Sequence, residues 1–209
     1  MNIERLFGNW KAIELYLHLN NEGVKVYYTC PKIRIWEDEF LLTTTFGPST
    51  EHQLFHVQHI NAKFRQEFRH IRLLWDEAGN TIEYSLYFRN ESAGYWQMFH
   101  PQNGTLPEKP GYPQFTGTIQ VLKAVNDHLV LSFCQEGGNG RTPVLFSVLF
   151  TREPGHMEIW ERDSVHSMLQ NKKLSIASRR MVCGNSADRP LFSILTSLLM
   201  LLLSCKAYF

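Results

Sequence analysis

The chain has 209 residues, 44% of them hydrophobic and 13% aromatic, with a formal net charge of +1. That length and apolar content suffice for one full core, while a near-neutral charge without a basic run interleaved with aromatics leaves no electrostatic footprint for nucleic acid. Four cysteines, Cys30, Cys134, Cys183 and Cys205, are too few for a miniature disulfide scaffold.

Leu6 and Phe7 lead into Gly8-Asn9-Trp10, and the following KAIELYLHL alternates as a strand, with Trp10, Ala12, Glu14, Tyr16 and His18 on one side. Asn20 to Gly23 is a turn. Val24 to Cys30 and Ile33 to Trp36 are extended pieces broken by Pro31, and Phe40 to Thr45 is a further β-branched run. Gly47 to Arg72 carries His52, His56 and His59, whose spacings of four and three would place three ligands on one helical face. The segment EHQLFHVQHINAKF alternates better as a strand, which turns His59 away, and no carboxylate or fourth ligand stands at a useful spacing. Solvated or core histidines, with no metal, are the expectation.

Phe68 to Trp75, a turn at Asp76 to Asn80, and Thr81 to Arg89 read as a hairpin that aligns Ile82, Tyr84, Leu86 and Phe88 on one face. Ala93 to Phe115 is rich in Gly, Pro and Asn, with a short strand at Tyr95 to Phe99, and is expected to be a long loop at an open end. Three strands follow at roughly 118 to 124, 129 to 135 and 143 to 152, separated by Asn126-Asp127 and by Gly137-Gly138-Asn139-Gly140. In the last, Val144, Phe146, Val148 and Phe150 share one face and Leu145, Ser147, Leu149 and Thr151 the other. Both faces are largely apolar, as in a strand of a closed barrel packed on its outside as well. Met157 to Lys172 reads as a helix with an imperfect apolar stripe of Ile159, Trp160, Val165, Met168 and Leu169.

Phe7-Gly8-Asn9-Trp10, the stretch VLKAVNDHLVLSFC and the strand ending in Thr151-Arg152 resemble, in order, the three signature regions of the lipocalin family. The likeness spans about residues 6 to 183, with a second signature that runs into a cysteine as in the apolipoprotein-D-like and insect Lazarillo-type branch. Val125-Asn126-Asp127-His128 departs from the family's usual Thr-Asp-Tyr. The resemblance implies an all-β fold: an eight-stranded antiparallel up-and-down barrel, a calyx, with one α-helix packed outside after the last strand. It implies that Gly8, Trp10 and Arg152 form a structural signature, the guanidinium covering the Trp10 ring at the closed floor, and that a disulfide joins Cys30 to Cys183.

The family's second bridge would join Cys134 to a cysteine upstream of Trp10, and the sequence as given has none there, nor a secretory leader. Both point to an amino terminus lacking a signal peptide and a cysteine-bearing segment. The expectation is an extracellular or cell-surface protein, with N-glycosylation sequons at Asn90 and Asn103. Residues 184 to 209 form a separate hydrophobic tail beyond a barrel domain of residues 1 to 183. The 16 uncharged residues from Pro190 to Cys205 would span ~24 Å as a helix, short of a ~30 Å hydrocarbon core. With small residues at Gly184 to Ala187 ahead of them, they read as a glycosylphosphatidylinositol signal, or else as a membrane segment.

The chain contains no Gly-x-Ser-x-Gly, His-Glu-x-x-His, Gly-rich phosphate loop or Cys-x-x-Cys, so the reading is a binding protein, not an enzyme, and without a cofactor. The partner is a small hydrophobic ligand such as a lipid, sterol, retinoid or pigment. Period-two phase gives Tyr16, Tyr84, Leu86, Phe88, Leu131, Phe133, Phe146 and Val148 as the lining residues. The alternative is an adhesion or signalling ectodomain that uses the outer face of a filled barrel.

Overall fold

The computed structural model describes residues 1–19, 30–38, 62–138, 140, 142–153 and 157–183. Its strands are β1 (Gly8–Leu17), β2 (Lys32–Glu37), β3 (Arg69–Glu77), β4 (Asn80–Phe88), β5 (Tyr95–Met98), β6 (Thr118–Ala124), β7 (His128–Gln135), β8 (Val144–Thr151) and β9 (Ser178–Met181), and the helix packed outside them, α1, is Ile159–Asn171. Residues 62–67 are also helical, so the strand expected of EHQLFHVQHINAKF does not extend through its last three residues. Strands β2 to β8 pair in sequence order, β8 pairs with β1, and β1 returns to β2, so eight antiparallel strands close on themselves. Strand β9 adds to the other edge of β1 beyond the β1–β2 pairing, with Leu17 opposite Ser178 and Glu14 opposite Met181. The result is the up-and-down calyx with an outer helix that the resemblance implies. Phe40 to Thr45 and the histidines at 52, 56 and 59 lie outside the described residues.

Alternation explains the layering. Ile71, Leu73 and Trp75 of β3 and Ile82, Tyr84, Leu86 and Phe88 of β4 join one interior cluster with Trp10, Ile33, Trp96, Leu131, Val148 and Phe150. A second cluster lies outside the wall, where Ile13, Tyr16, Val130 and Leu149 meet Val165 and Leu169 of α1. This second layer is why β7 and β8 are apolar on both faces. Of the apolar stripe expected on α1, only Val165 and Leu169 are buried; Ile159 and Trp160 stand in solvent at 73% and 68% exposure. The helix begins at Ile159 under a capping box between Glu158 and Glu161, and its burial starts only at Val165, so the first turn does not lie on the wall.

The ends of the barrel differ. The floor is shut by the 3-10 turn Ile3–Leu6, whose Ile3 and Leu6 are buried. The Trp10 indole N–H donates to the Leu6 carbonyl at 2.8 Å, and the Arg152 guanidinium lies over the Trp10 ring with its carbon 3.5 Å from the centroid. Arg152 also donates to the carbonyls of Asn9 (3.0 Å), Arg5 (3.0 Å) and Phe7 (2.8 Å). Gly8 has φ +102°, and a Cβ there would stand 3.0 Å from Arg152 Nη1, so backbone conformation and space both call for glycine.

On the outside, Cys30 and Cys183 form a disulfide across 153 residues of sequence, with Cα atoms 4.9 Å apart. It ties the entry to β2 to the end of β9. In the chain-entropy model, opening this bridge by Cys183→Ser removes up to about 5 kcal/mol; denaturant unfolding under non-reducing conditions should show the loss. Arg152→Lys keeps the charge but cannot reach three carbonyls from one planar fork, so a loss of about 2 kcal/mol is expected in the same measurement.

Candidate functional site

The interior above the floor is a cluster of packed aromatic rings. Register places Leu131 opposite Val148 and Phe133 opposite Phe146, and each pair projects inward because period-two alternation turns their neighbours Ser132 and Ser147 out. Phe133 stacks on Phe146 with centroids 4.6 Å apart and planes at 3°. Trp75 meets Phe133 edge-on at 5.9 Å and Phe150 at 6.1 Å, and Tyr84 lies 6.1 Å from Phe133. Tyr84, Leu86, Phe88, Leu131, Phe133 and Val148 are buried in this cluster, and Phe146 is partly buried against it. At its rim stands one carboxylate, Glu77, which accepts from the Trp75 indole N–H at 2.9 Å. Burial pushes the Tyr84 phenol far above its ordinary range, so its hydroxyl is neutral at every physiological pH.

The mouth is covered by the connection from β5 to β6. Gln102, 3% exposed, holds that loop together: its backbone N–H donates to Gln114 Oε1 (2.9 Å), its side-chain oxygen accepts from the Phe115 N–H (2.9 Å), and its amide donates to the Phe115 carbonyl. Phe115 is thereby aimed at Tyr84 (6.4 Å) and Phe133 (6.1 Å). Trp75, Trp96 and Phe115 are interior residues absent from the eight read off the sequence. Trp75 follows the same period as Ile71 and Leu73 and was legible, whereas Phe115 sits in a loop without periodic signal.

Tyr16 requires a correction. A β-bulge between Ala12 and Glu14 shifts the register of β1 against β8, so the face that holds Trp10 and Ala12 inside does not continue to Tyr16. Tyr16 lies under α1 instead, its hydroxyl donating to Glu14 Oε2 at 2.9 Å and its ring edge-on to His166 at 5.7 Å. Glu14, 2% exposed, also meets His166 Nε2 at 3.1 Å and Arg179 Nε at 3.9 Å. Burial, with the Glu14 carboxylate beside it, raises the Tyr16 phenol well above its usual value. A carboxylate removed from water needs such partners, and here they clamp β1, α1 and β9 together.

His18 closes the same seam higher up. Its Nδ1–H donates to the Ser175 carbonyl at 2.7 Å, which leaves Nε2 to accept from the Ser147 hydroxyl at 2.7 Å. Ser147 is fully buried, so this serine–histidine pair has no room for a substrate. Burial lowers the His18 and His70 values below 6.5, so the unfolded chain takes up protons before the folded one does. Stability should therefore begin to fall as pH drops below 6.5 and continue falling until the folded values are passed. His18→Gln should flatten that slope in a series of melting curves between pH 7 and 5.

Elsewhere the sequence candidates are scattered. Asn90 opens an exposed 3-10 turn, Asn90–Ser92, and Asn103 is exposed although its backbone bridges to Glu83. Cys134 is a free, half-buried thiol on β7. Near the floor, donor atoms of Asp127, His128 and Glu161 lie within 4.8 Å of one another, but Asp127 already faces His128 Nδ1 (2.9 Å) and Glu161 accepts from the Glu158 N–H (3.0 Å).

No family model and no curated protein matches the chain. Among solved structures it is similar to lobster apocrustacyanin A1 at 10% identity, over 87% of this chain and 78% of that one, with a TM-score of 0.46. It is similar to the bovine lipocalin allergen Bos d 2 at 9% identity, over 90% and 98%, with a TM-score of 0.49. The amine-binding protein of Rhodnius prolixus, solved with tryptamine, stands at 9% identity over 84% and 77%, also with a TM-score of 0.49. The barrel assignment stands on the chain's own strand closure.

Proposed function

We propose that this chain is a lipocalin of the apolipoprotein-D-like branch that carries one small hydrophobic ligand inside its barrel, outside the cell and held at the cell surface by its carboxyl-terminal tail. The observation that supports this reading is the closed barrel itself: one shut end and an interior of rings, Tyr84, Phe133 and Phe146 among them, with one carboxylate, Glu77, bonded to the Trp75 indole at the rim. Such an interior takes an apolar guest by removing its surface from water, about 25 cal/mol per Å², and offers ring faces to a flat or polyene ligand. The disulfide between Cys30 and Cys183 supports an oxidising compartment, and the exposed sequons at Asn90 and Asn103 support passage through a secretory route. The function is binding, not catalysis.

One observation favours a second reading. Phe133, Phe146, Trp75 and Tyr84 already touch one another, as the rings of a solid core would. In that case the outer face does the work, as an adhesion or signalling surface. Titration with a fluorescent long-chain fatty acid analogue separates the two. The carrier should bind it one to one, and Phe146→Asp, which sets a carboxylate beside the partly buried mouth, should weaken binding at least about tenfold. Absence of saturable binding by the folded wild-type protein would leave only the outer-face reading.

A further inference from the structure

Three large apolar side chains stand exposed at the floor end of the barrel: Val125 (37%), Ile159 (73%) and Trp160 (68%). Val125 begins the β6–β7 turn, and Ile159 and Trp160 open α1 just beyond the end of β8. The two groups are neighbours, since carboxylate oxygens of Asp127 and Glu161 lie within 4.8 Å. Isolated exposed apolar residues are ordinary, but an adjacent Ile-Trp pair beside Val125 is a patch that water disfavours.

The direction of the chain says what covers it. Strand β9 runs antiparallel to β1, so it heads from the mouth toward the floor, and the Val182 N–H donates to the Ile13 carbonyl at 3.0 Å. From Ile13 to Gly8 is about 17 Å of strand at ~3.3 Å per residue. Residues 184 to 189 can reach ~20 Å when extended, so the uncharged run beginning at Pro190 can start level with the floor. A tail that enters lipid there brings the bilayer to the closed end.

We infer that the floor of the barrel docks on a zwitterionic lipid surface, with Ile159 and Trp160 seated in the headgroup interface and the mouth turned toward the aqueous phase. Tryptophan is favoured at that depth because its ring is apolar and its N–H can remain hydrated. Zwitterionic lipid is specified because the exposed carboxylates in the turns at this end, Glu4, Asp127, Glu153 and Glu158, outnumber the exposed Arg5 and disfavour an anionic surface. This inference rests on the proposal that the tail is membrane-attached, and it adds which face meets the lipid.

The test uses the full chain, tail included, with phosphatidylcholine vesicles. Flotation reads attachment, and quenching of tryptophan emission by brominated phosphatidylcholine reads docking. Trp10, Trp75 and Trp96 are at most 7% exposed and Trp36 is partly buried, so Trp160 should supply the larger part of the quenchable emission and Trp160→Phe should remove that part, leaving the Trp36 remainder, while flotation persists. Flotation with the same quenching in Trp160→Phe overturns the docked floor and leaves the tail attachment standing. Absence of flotation overturns both.

Discussion

One guanidinium holds the floor of the barrel shut. Arg152 follows β8, and its fork grips the carbonyls of Arg5, Phe7 and Asn9 while its face covers Trp10. The last barrel strand and the segment before the first are thereby joined through side-chain bonds beyond the register of Lys11 with Thr151. A delocalised, weakly hydrated cation suits this position, since an ammonium would lose more hydration for fewer bonds. Burial costs Arg152 some of its affinity for a proton, but three carbonyls and an aromatic face offset that cost. With the floor shut, the rings above it are removed from water.

The outside of the wall is held by a different chemistry. Along β1 the bulge after Ala12 releases Glu14 and Tyr16 from the interior phase and presents them to α1 and β9. A buried carboxylate among a phenol, an imidazole and a guanidinium demands defined partners, so Glu14 fixes where the helix lies more narrowly than Val165 and Leu169 would through apolar contact alone. The disulfide at Cys183 then secures the end of β9. Floor, wall and buttress therefore meet on β1, which is the strand with three neighbours.

The two ends of the barrel are covered differently. At the mouth, Gln102 holds a loop whose Phe115 rests on Tyr84 and Phe133, so the cover over the interior is fixed by hydrogen bonds of one amide. At the floor, the exposed residues belong to turns and to the unburied start of α1, none of which contributes to the wall. A surface contact at the floor and a guest at the mouth would thus not compete for the same residues.

Much of this was legible beforehand because strand phase is a local property. Residues 82 to 88, 131 to 133 and 146 to 148 alternate without interruption, and their inward positions follow directly. The two apolar faces of β8 likewise announced a second packing layer. Phase fails where the backbone departs from period two. The bulge that turns Tyr16 outward leaves no mark in KAIELYL, since an extra residue is accommodated by what the neighbouring strand does. Exposure of Ile159 and Trp160 was hidden for a similar reason: helical spacing shows which side chains share a face, but not how much of the helix the sheet beneath covers. Local order along the chain determined the strands and their faces. Only closure of the sheet decided which face became the interior, which residues stop its ends and which apolar side chains are left in water.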